Sequence, residues 1–582
     1  MAINELDRAE RNKRLIRENQ YDTLTGLPNM SYFLQLADTG KKLMVADGKL
    51  PAMLYFDLKG MKFFNEKYGL KEGDNLLIAF ANVLEAHFTK KCCGRMGQDH
   101  FAAFGDLDGI EDKILAIFKD FKHVNDGMTL PVHTGVYPIS FEDVSASTAC
   151  DRAKLACDKE KGVHVCTYAF YDAELHKRSN RVIYVLNNFE KAIEEKWIKP
   201  YYQPIIRSVN GKVCDEEALA RWIDPTEGMI PPDEFIYVLE DAKLIHLLDL
   251  HIVEMVLADM NYTKSLGLPV MPVSVNISKY DFQLCDIVGE ILKRVRFANI
   301  DPSMITLEVT ESASTLDKEF LQEQIAKVHA AGFQIWMDDF GSGYSSLNML
   351  QSFDFDTIKF DMRFMREFSE SKKNHVIMKE LVQMITRLDI DTIIEGVETI
   401  EQAKFLREIG ANKMQGYYWG KPNSLENKHL IWKTSIGNPP EEVIEARYYD
   451  CISKANLIEP DIEEDYQIDA DNFFGPHPMG VIEIVDGQLE ILRYNKTYAM
   501  FLLNTEFIDK EDLGTGKIMI KRMPEPRFMA TVAKCFDSGK WERLENSPEG
   551  KFLVDVFLKA IGKNELTGAV ALQVVIVSIS NE

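Results

Sequence analysis

The sequence predicts a multidomain α/β protein: an α+β region first, a (β/α)8-type barrel in the middle, and a second α+β region at the end. Three observations lead there. At 582 residues the chain is too long for one hydrophobic core, and ordinary domain sizes divide it into about three or four parts. Between positions 217 and 415, short apolar runs bounded by turn signals alternate with helical segments, the pattern of buried strands in a βα-repeating domain. The C-terminal part alternates strand-like and helix-like stretches and finishes in "TGAVALQVVIVSI", a buried strand pattern.

Taken in order, residues 1–20 are a charged stretch of good helix formers that stops before "YDTLTGLPN", where Gly26 and Pro28 mark a loop. Residues 21–172 form the first α+β domain, with a strand–turn–helix in "AMLYFDLKGMKFFNEKYGLKEGDNLLIAFANVLEAHF" and a hairpin in "CCGRMGQDHFAAFGD". Residues 173–198 have helical periodicity and connect this domain to the barrel, which spans 199–435. "GNPPEE" breaks the pattern, and 436–470 reads as a linker before the last domain at 471–582, solvated in its acidic segment 457–470, "LIEPDIEEDYQIDA".

Composition narrows the function. Hydrophobic content of 46% and charged content of 27% are those of a globular protein. A net charge of −24 and a pI near 5.1 exclude a general affinity for polymeric nucleic acid, which needs a basic surface. A small anionic substrate remains compatible, because local cations outweigh the global field. No apolar run approaches the length of a membrane span, so no membrane insertion is expected, and the charged N-terminus is unlike a signal peptide. Nine scattered cysteines without a CxxC fit a reducing compartment, and the expected location is the cytoplasm.

The chemistry sits in the middle region. Glu217, Asn276, Glu308, Asp338, Asp339 and Glu395 fall at the ends of strand-like runs, with Lys359 inside "DTIKFD" and Gln415 opening "QGYYWG". A barrel brings such positions to one mouth. Five carboxylates, two amides and a lysine there describe an oxygen-ligand site for hard divalent cations, and Mg²⁺ or Mn²⁺ assisting attack of water on a phosphodiester fits best.

"YYQPI" (201–205), "EALARW" (217–222), "VNIS" (275–278), "LEVTE" (307–311), "DDFGSGYSSL" (338–347), "KFD" (359–361), "EGVET" (395–399) and "QGYYWGKP" (415–422) occur in that order. This series resembles the EAL family of cyclic di-GMP phosphodiesterases. The resemblance implies a two-metal site, with Glu217, Asn276, Glu308 and Asp338 on one cation and Asp338, Asp339 and Glu395 on the other. It implies that Lys359 orients the attacking water, that Gln415 and Glu398 complete the network around it, and that Glu311 tethers the loop in "DFGSGYSSL". Arg221, Gln203 and Asp361 would contact the substrate, cyclic di-GMP, and the domain would form a homodimer. Ala411 and Asn412 depart from the family's usual cysteine and aspartate, a difference expected to touch packing only.

"DTLTGLPN" (22–29), "FDLKGMKFFNEKYGLKEGD" (56–74) and "RMGQDHF" (95–101) resemble the GGDEF diguanylate cyclase domain, with departures where the chemistry lies. The signature reads Gly97-Gln98-Asp99-His100-Phe101: Gln98 stands where a glycine admits a phosphate, and His100 where the cyclase needs a glutamate. Lys59 replaces a second aspartate, and Phe88 and Lys91 replace the arginine and aspartate of the inhibitory product site. Cyclase activity is therefore not expected. Asp57 and Asp99 remain as Mg²⁺ ligands, and Asn65 and Asp74 as guanine contacts, so either a GTP-sensing domain or a relic kept for packing and dimerisation fits. "PHPMGVIEIVDGQLEILRYNKTYAMFL" (476–502) resembles the opening of a PAS domain, without a haem or flavin motif; His477 reads as a loop residue. Two functions stay open: a metal-dependent phosphodiesterase making pGpG under control of its accessory domains, and a non-catalytic receptor for cyclic di-GMP.

Overall fold

The structure, a computed structural model, describes residues 19–160, 165–341, 346–366, 368, 372–434, 437–455, 457, 477–505, 508, 518–520, 525–549 and 552–581. The predicted N-terminal helix (but for its last two residues), the acidic run 458–470 and positions 342–345 of the "DFGSGYSSL" loop lie outside these. The chain divides into two compact units, Met1–Tyr184 and Val185–Glu582.

The first unit is a five-stranded sheet of β1 (Pro51–Leu58), β2 (Cys93–Gly97), β3 (His100–Asp106), β4 (Val132–Pro138) and β5 (Thr167–Phe170), in the order β2-β3-β1-β4-β5. All eight residues of β1 are buried because helices cover both faces. Leu54, Phe56 and Leu58 pack with Leu76, Phe80 and Ile114 of helices Leu70–Phe88 and Ile110–Phe121. Met53 and Tyr55 face the other way, onto helices Met30–Ala46 and Ala146–Cys157. Gly135 on β4 is required by the last contact, since a Cβ there would lie 1.8 Å from the Ala153 carbonyl oxygen. The predicted helix after β1 is two, Met61–Tyr68 and Leu70–Phe88, broken at Gly69 with φ of 90°.

In the second unit, β6 (Ile198–Arg207), β7 (Val213–Asp224), β8 (Gly228–Ile230), β9 (Val273–Asn276), β10 (Ile305–Thr310), β11 (Gln334–Phe340), β12 (Thr357–Phe360), β13 (Asp391–Ile394) and β14 (Lys413–Gln415) form one sheet. It closes through the β14–β6 and β6–β7 pairings into an eight-stranded barrel, with β8 a hairpin extension of β7. The strands from β7 through β9 to β14 run parallel, while β6 is antiparallel to both its neighbours. The cause is local: only Ser208–Lys212 separates β6 from β7, with Asn210-Gly211 at its turn, and such a link reverses the chain.

The rest of this unit is an antiparallel sheet of β15 (Met479–Val485), β16 (Gln488–Tyr494), β17 (Ile518–Met519), β18 (Glu542–Glu549), β19 (Phe552–Lys563) and β20 (Val570–Asn581), in the order β17-β16-β15-β20-β19-β18. Ile482, Val556 and Leu572 face helices Lys496–Asn504 and Pro526–Ser538. On the opposite face, Val481, Leu492 and Ala571 meet Tyr448, Tyr449 and Ile452 of a helix, Val443–Lys454. The acidic segment read as solvated lies, but for Leu457, outside the described residues, while this helix corrects the reading of 436–470 as a linker. Its first half is held against the barrel by buried charges: Arg207 donates to Glu441 at 2.8 Å, and Lys212 lies 2.9 Å from Glu445. No helix among the described residues is long and apolar enough to cross a membrane.

Candidate active site

The acidic run Asp215-Glu216-Glu217 shows how the barrel distributes charge. Strand alternation sends Asp215 and Glu217 to one face and Glu216 to the other. Asp215 pairs with Lys413 at 2.8 Å and Glu216 with Lys428 at 2.7 Å, both buried structural pairs. Glu217 instead joins a cluster contributed by other strands. Its Oε1 accepts from Asn276 Nδ2 at 3.0 Å and its Oε2 from Gln415 Nε2 at 2.8 Å. Glu217 is not at a strand end as the sequence suggests: β7 outlasts the barrel and runs on to Asp224 in the hairpin with β8. Gln415 ends β14, and the close turn after it needs Gly416, whose Cβ would lie 2.1 Å from the Val397 carbonyl oxygen.

Lys359, fully buried on β12, centres the cluster. Its Nζ lies 2.7 Å from Glu308 Oε2, 2.9 Å from Glu395 Oε1, 3.3 Å from Glu217 Oε2 and 3.4 Å from Asp338 Oδ1. Burial opposes its charge, but Asp338, Glu217, Glu308 and Glu395 together hold its pKa well above the ordinary lysine value. One ammonium cannot satisfy four carboxylates. Burial pushes Glu308 well up and raises Asp338 despite Lys359, and it pushes Glu395 up to about 8. Glu217 goes the other way: burial is outweighed by Lys359, Gln415 and Asn276, which hold it below the usual carboxylate range. Glu308 Oε1 and Gln415 Oε1 are buried with no hydrogen-bond partner among the described residues. An excess of buried carboxylate oxygens around one ammonium, with unpartnered oxygens among them, is the donor set of a hard divalent cation.

The other predicted residues surround this cluster unevenly. Asp339 has a left-handed backbone, φ of 59°, and its N–H donates to Asp338 Oδ1 at 2.9 Å. Burial, then Asp338 and Asp361, push its carboxyl up to about 6. Asp361 is held by Arg363, whose N–H and Nε donate at 2.7 and 3.0 Å. Gln203 is paired with Glu217 across β6–β7 and donates to the Gly420 carbonyl at 3.3 Å. Arg221, half-buried further along β7, donates to the Ala220 carbonyl at 2.9 Å, and burial lowers its pKa. Glu311 is buried at the start of the turn after β10. Glu398 is exposed, and its backbone N–H donates to Gln402 Oε1 in the cap of helix Ile400–Ile409.

A carboxyl pair beside Asn276 was missed by the sequence reading. Asp249 and Asp281 are both buried, and the Ser278 N–H donates to each, at 3.2 and 3.0 Å. Burial raises both, Asp281 to about 6, and their shared hold on the Ser278 N–H fixes the loop that follows Asn276. The only signal was two isolated aspartates in apolar surroundings, which helix periodicity treats as surface residues.

In the first unit, Asp57, Asp99 and His100 place ligand atoms within 4.8 Å of one another. His100 Nε2 lies 3.7 Å from Asp57 Oδ2, which Lys59 Nζ also contacts. Burial would raise the Asp57 carboxyl, but His100 and Lys59 hold it low, and the bond to Asp57 raises His100. Asp57 and Asp99, the Mg²⁺ ligands of the sequence reading, thus lie together, with the Lys59 ammonium already on Asp57. Gln98 carries a turn with φ of 48°, where a glycine is favoured. Asn65 abuts Gly73 between the two helices and its Oδ1 is buried without a partner among the described residues, while Asp74 is exposed one residue on.

The chain is 31% identical over 436 residues to an uncharacterized signaling protein of Caulobacter vibrioides, covering 72% of this chain and 52% of that one. It is 27% identical over 428 residues to the bifunctional diguanylate cyclase/cyclic di-GMP phosphodiesterase MucR of Pseudomonas aeruginosa, covering 72% and 62%. It is 28% identical over 433 residues to the cyclic di-GMP phosphodiesterase NbdA of the same species, covering 73% and 55%. The chain thus spans just over half the length of these relatives. Residues 19–161 match the diguanylate cyclase GGDEF domain and residues 186–422 the EAL domain, so the chain carries a GGDEF and an EAL domain in tandem.

Proposed function

We propose that the barrel is a phosphodiesterase dependent on Mg²⁺ or Mn²⁺ that hydrolyses cyclic di-GMP to pGpG, regulated by a first domain that binds GTP without cyclising it. The observation that carries this reading is the buried Lys359 ammonium within 3.4 Å of four carboxylates from different strands. A structural ion pair needs one carboxylate; four in one buried mouth suit more positive charge than a lysine supplies. The activity of the relative NbdA supports the choice of substrate.

Glu217, Asn276, Glu308 and Asp338 are the residues to hold one cation, and Asp338, Asp339 and Glu395 the other. Bound there, the cations supply Lewis-acid stabilisation of charge on the phosphoryl oxygens. The remaining work belongs to side chains of this chain. Arg221 binds a phosphate through its planar fork. Lys359 donates to the attacking water and offsets the negative charge that grows in the transition state, which is electrostatic rather than covalent catalysis. Gln415 and Asn276 fix the Glu217 carboxylate from both sides, and Asp249 with Asp281 fixes the loop after Asn276. In the first domain, Asn65 and Asp74 serve the guanine while Lys59, beside Asp57 and Asp99, faces the phosphates. His100 leaves no carboxylate for the cyclase step.

The test is direct. The full chain is incubated with cyclic di-GMP and Mg²⁺ or Mn²⁺, and products are separated by chromatography. The expected result is pGpG, lost on chelation. No pGpG with either metal would sink the proposal.

A further inference from the structure

A second cleft lies in the Val185–Glu582 unit at the far end of the barrel, where β6 ends and β14 begins, against the C-terminal sheet. It is lined by Val209, Lys404, Arg407, Glu408, Leu492 and Arg493. A neighbouring cleft beside Gly410 shares Arg407, Glu408, Arg493 and Tyr494.

Two guanidinium groups enter this space without a carboxylate partner among the described residues. Arg493, on β16, donates from Nη1 to the carbonyls of Ile452, Ser453 and Ala455 at the end of helix Val443–Lys454, the first and last at 2.7 and 3.2 Å. Its Nη2 lies beside Gly410. Arg407, on helix Ile400–Ile409, has a buried Nε with no hydrogen-bond partner among the described residues. Burial lowers both pKa values, that of Arg493 to about 10, with no carboxylate to oppose it. Elsewhere in this unit buried cations do have carboxylates: Arg207 has Glu441, Lys413 has Asp215 and Lys428 has Glu216. Arg493 spends Nη1 on carbonyls alone and Arg407 Nε has no partner among the described residues, so both charges remain open to an anion in this space.

We infer that this cleft is a regulatory site for a small organic phosphate, whose dianion bridges Arg407 and Arg493 while its apolar body lies against Val209, Leu492 and Tyr494. Planar forks match phosphate oxygens bidentately, and a dianion balances two guanidiniums where a monocarboxylate leaves one positive charge over. The apolar lining by Val209 and Leu492 favours an organic molecule over a bare ion. Because one guanidinium belongs to the barrel and the other to the C-terminal sheet, occupancy holds these two parts together.

The experiment is calorimetry on the full chain with phenyl phosphate, benzoate and inorganic phosphate, divalent cations being chelated, together with thermal melting. The expected result is saturable binding of phenyl phosphate, tighter than that of either other probe and weakened at least ~10-fold by Arg407→Gln and by Arg493→Lys. The ligand-free melting temperature of Arg407→Gln should be higher than that of wild type, because an unpartnered charge has been removed; a merely structural arginine would give a lower one. Absence of phenyl phosphate binding, unchanged binding by Arg407→Gln, tighter binding of benzoate, or a lowered melting temperature of Arg407→Gln would each overturn the assignment.

Discussion

At the scale of single residues, the barrel mouth is defined by an imbalance: Lys359 meets more carboxylates than it can neutralise. Each carboxylate is therefore a ligand in waiting, and losing one should disable chemistry more than folding. Glu217→Ala removes an oxygen that Asn276 and Gln415 hold in place, and no neighbouring side chain can move in to replace it. The expected outcome is a fall in cyclic di-GMP hydrolysis of at least ~100-fold, the scale for losing a major electrostatic element. Circular dichroism should show the fold retained. Near-normal turnover would remove Glu217 from the site. The residue types at this mouth were legible in the sequence because acids and amides interrupt apolar strands. The contacts were not: nothing in "DTIKFD" says that Lys359 reaches Glu217, more than a hundred positions earlier. The Asp249–Asp281 pair was illegible for the same reason, since each aspartate is unremarkable until the fold buries both.

At the scale of elements, the sequence reading failed most clearly at 436–470. The stretch was read as a linker, yet Glu441, Glu445 and Asp450 contact Arg207, Lys212 and Asn564. Charge pairing across more than two hundred positions leaves no local periodicity to read. The antiparallel β6 was missed as well: its Asn210-Gly211 turn marks a hairpin, but the region was read as βα-repeating throughout. Arg207 and Glu441 are both nearly excluded from solvent, so removing one partner strands a buried charge. Glu441→Ala should cost about 3–5 kcal/mol of stability, measured as an early thermal transition of the unit formed by the barrel and the C-terminal sheet. Arg207→Met combined with Glu441→Ala should lose less than the sum of the two single changes. Strict additivity would show that the pair is not coupled.

At the scale of the whole molecule, two nucleotide sites are proposed on one chain, and linkage joins them if GTP distinguishes two arrangements of the chain. The first domain should bind GTP saturably and form no cyclic di-GMP. Because Lys59 already stands on Asp57, binding should persist when Mg²⁺ is chelated. Calorimetry checks both points: no binding at millimolar GTP favours the packing role, and any cyclic di-GMP formed overturns the role given to His100. The central claim is that the chain catalyses rather than merely receives cyclic di-GMP, and one comparison tests it most directly. In the full chain, kcat and the dissociation constant for cyclic di-GMP are measured for wild type and for Lys359→Ala. Catalysis predicts a measurable wild-type kcat that falls by ~100-fold or more, with binding little changed, as for an interaction made mainly in the transition state. Negligible wild-type turnover, with the substitution visible only in affinity, would contradict it.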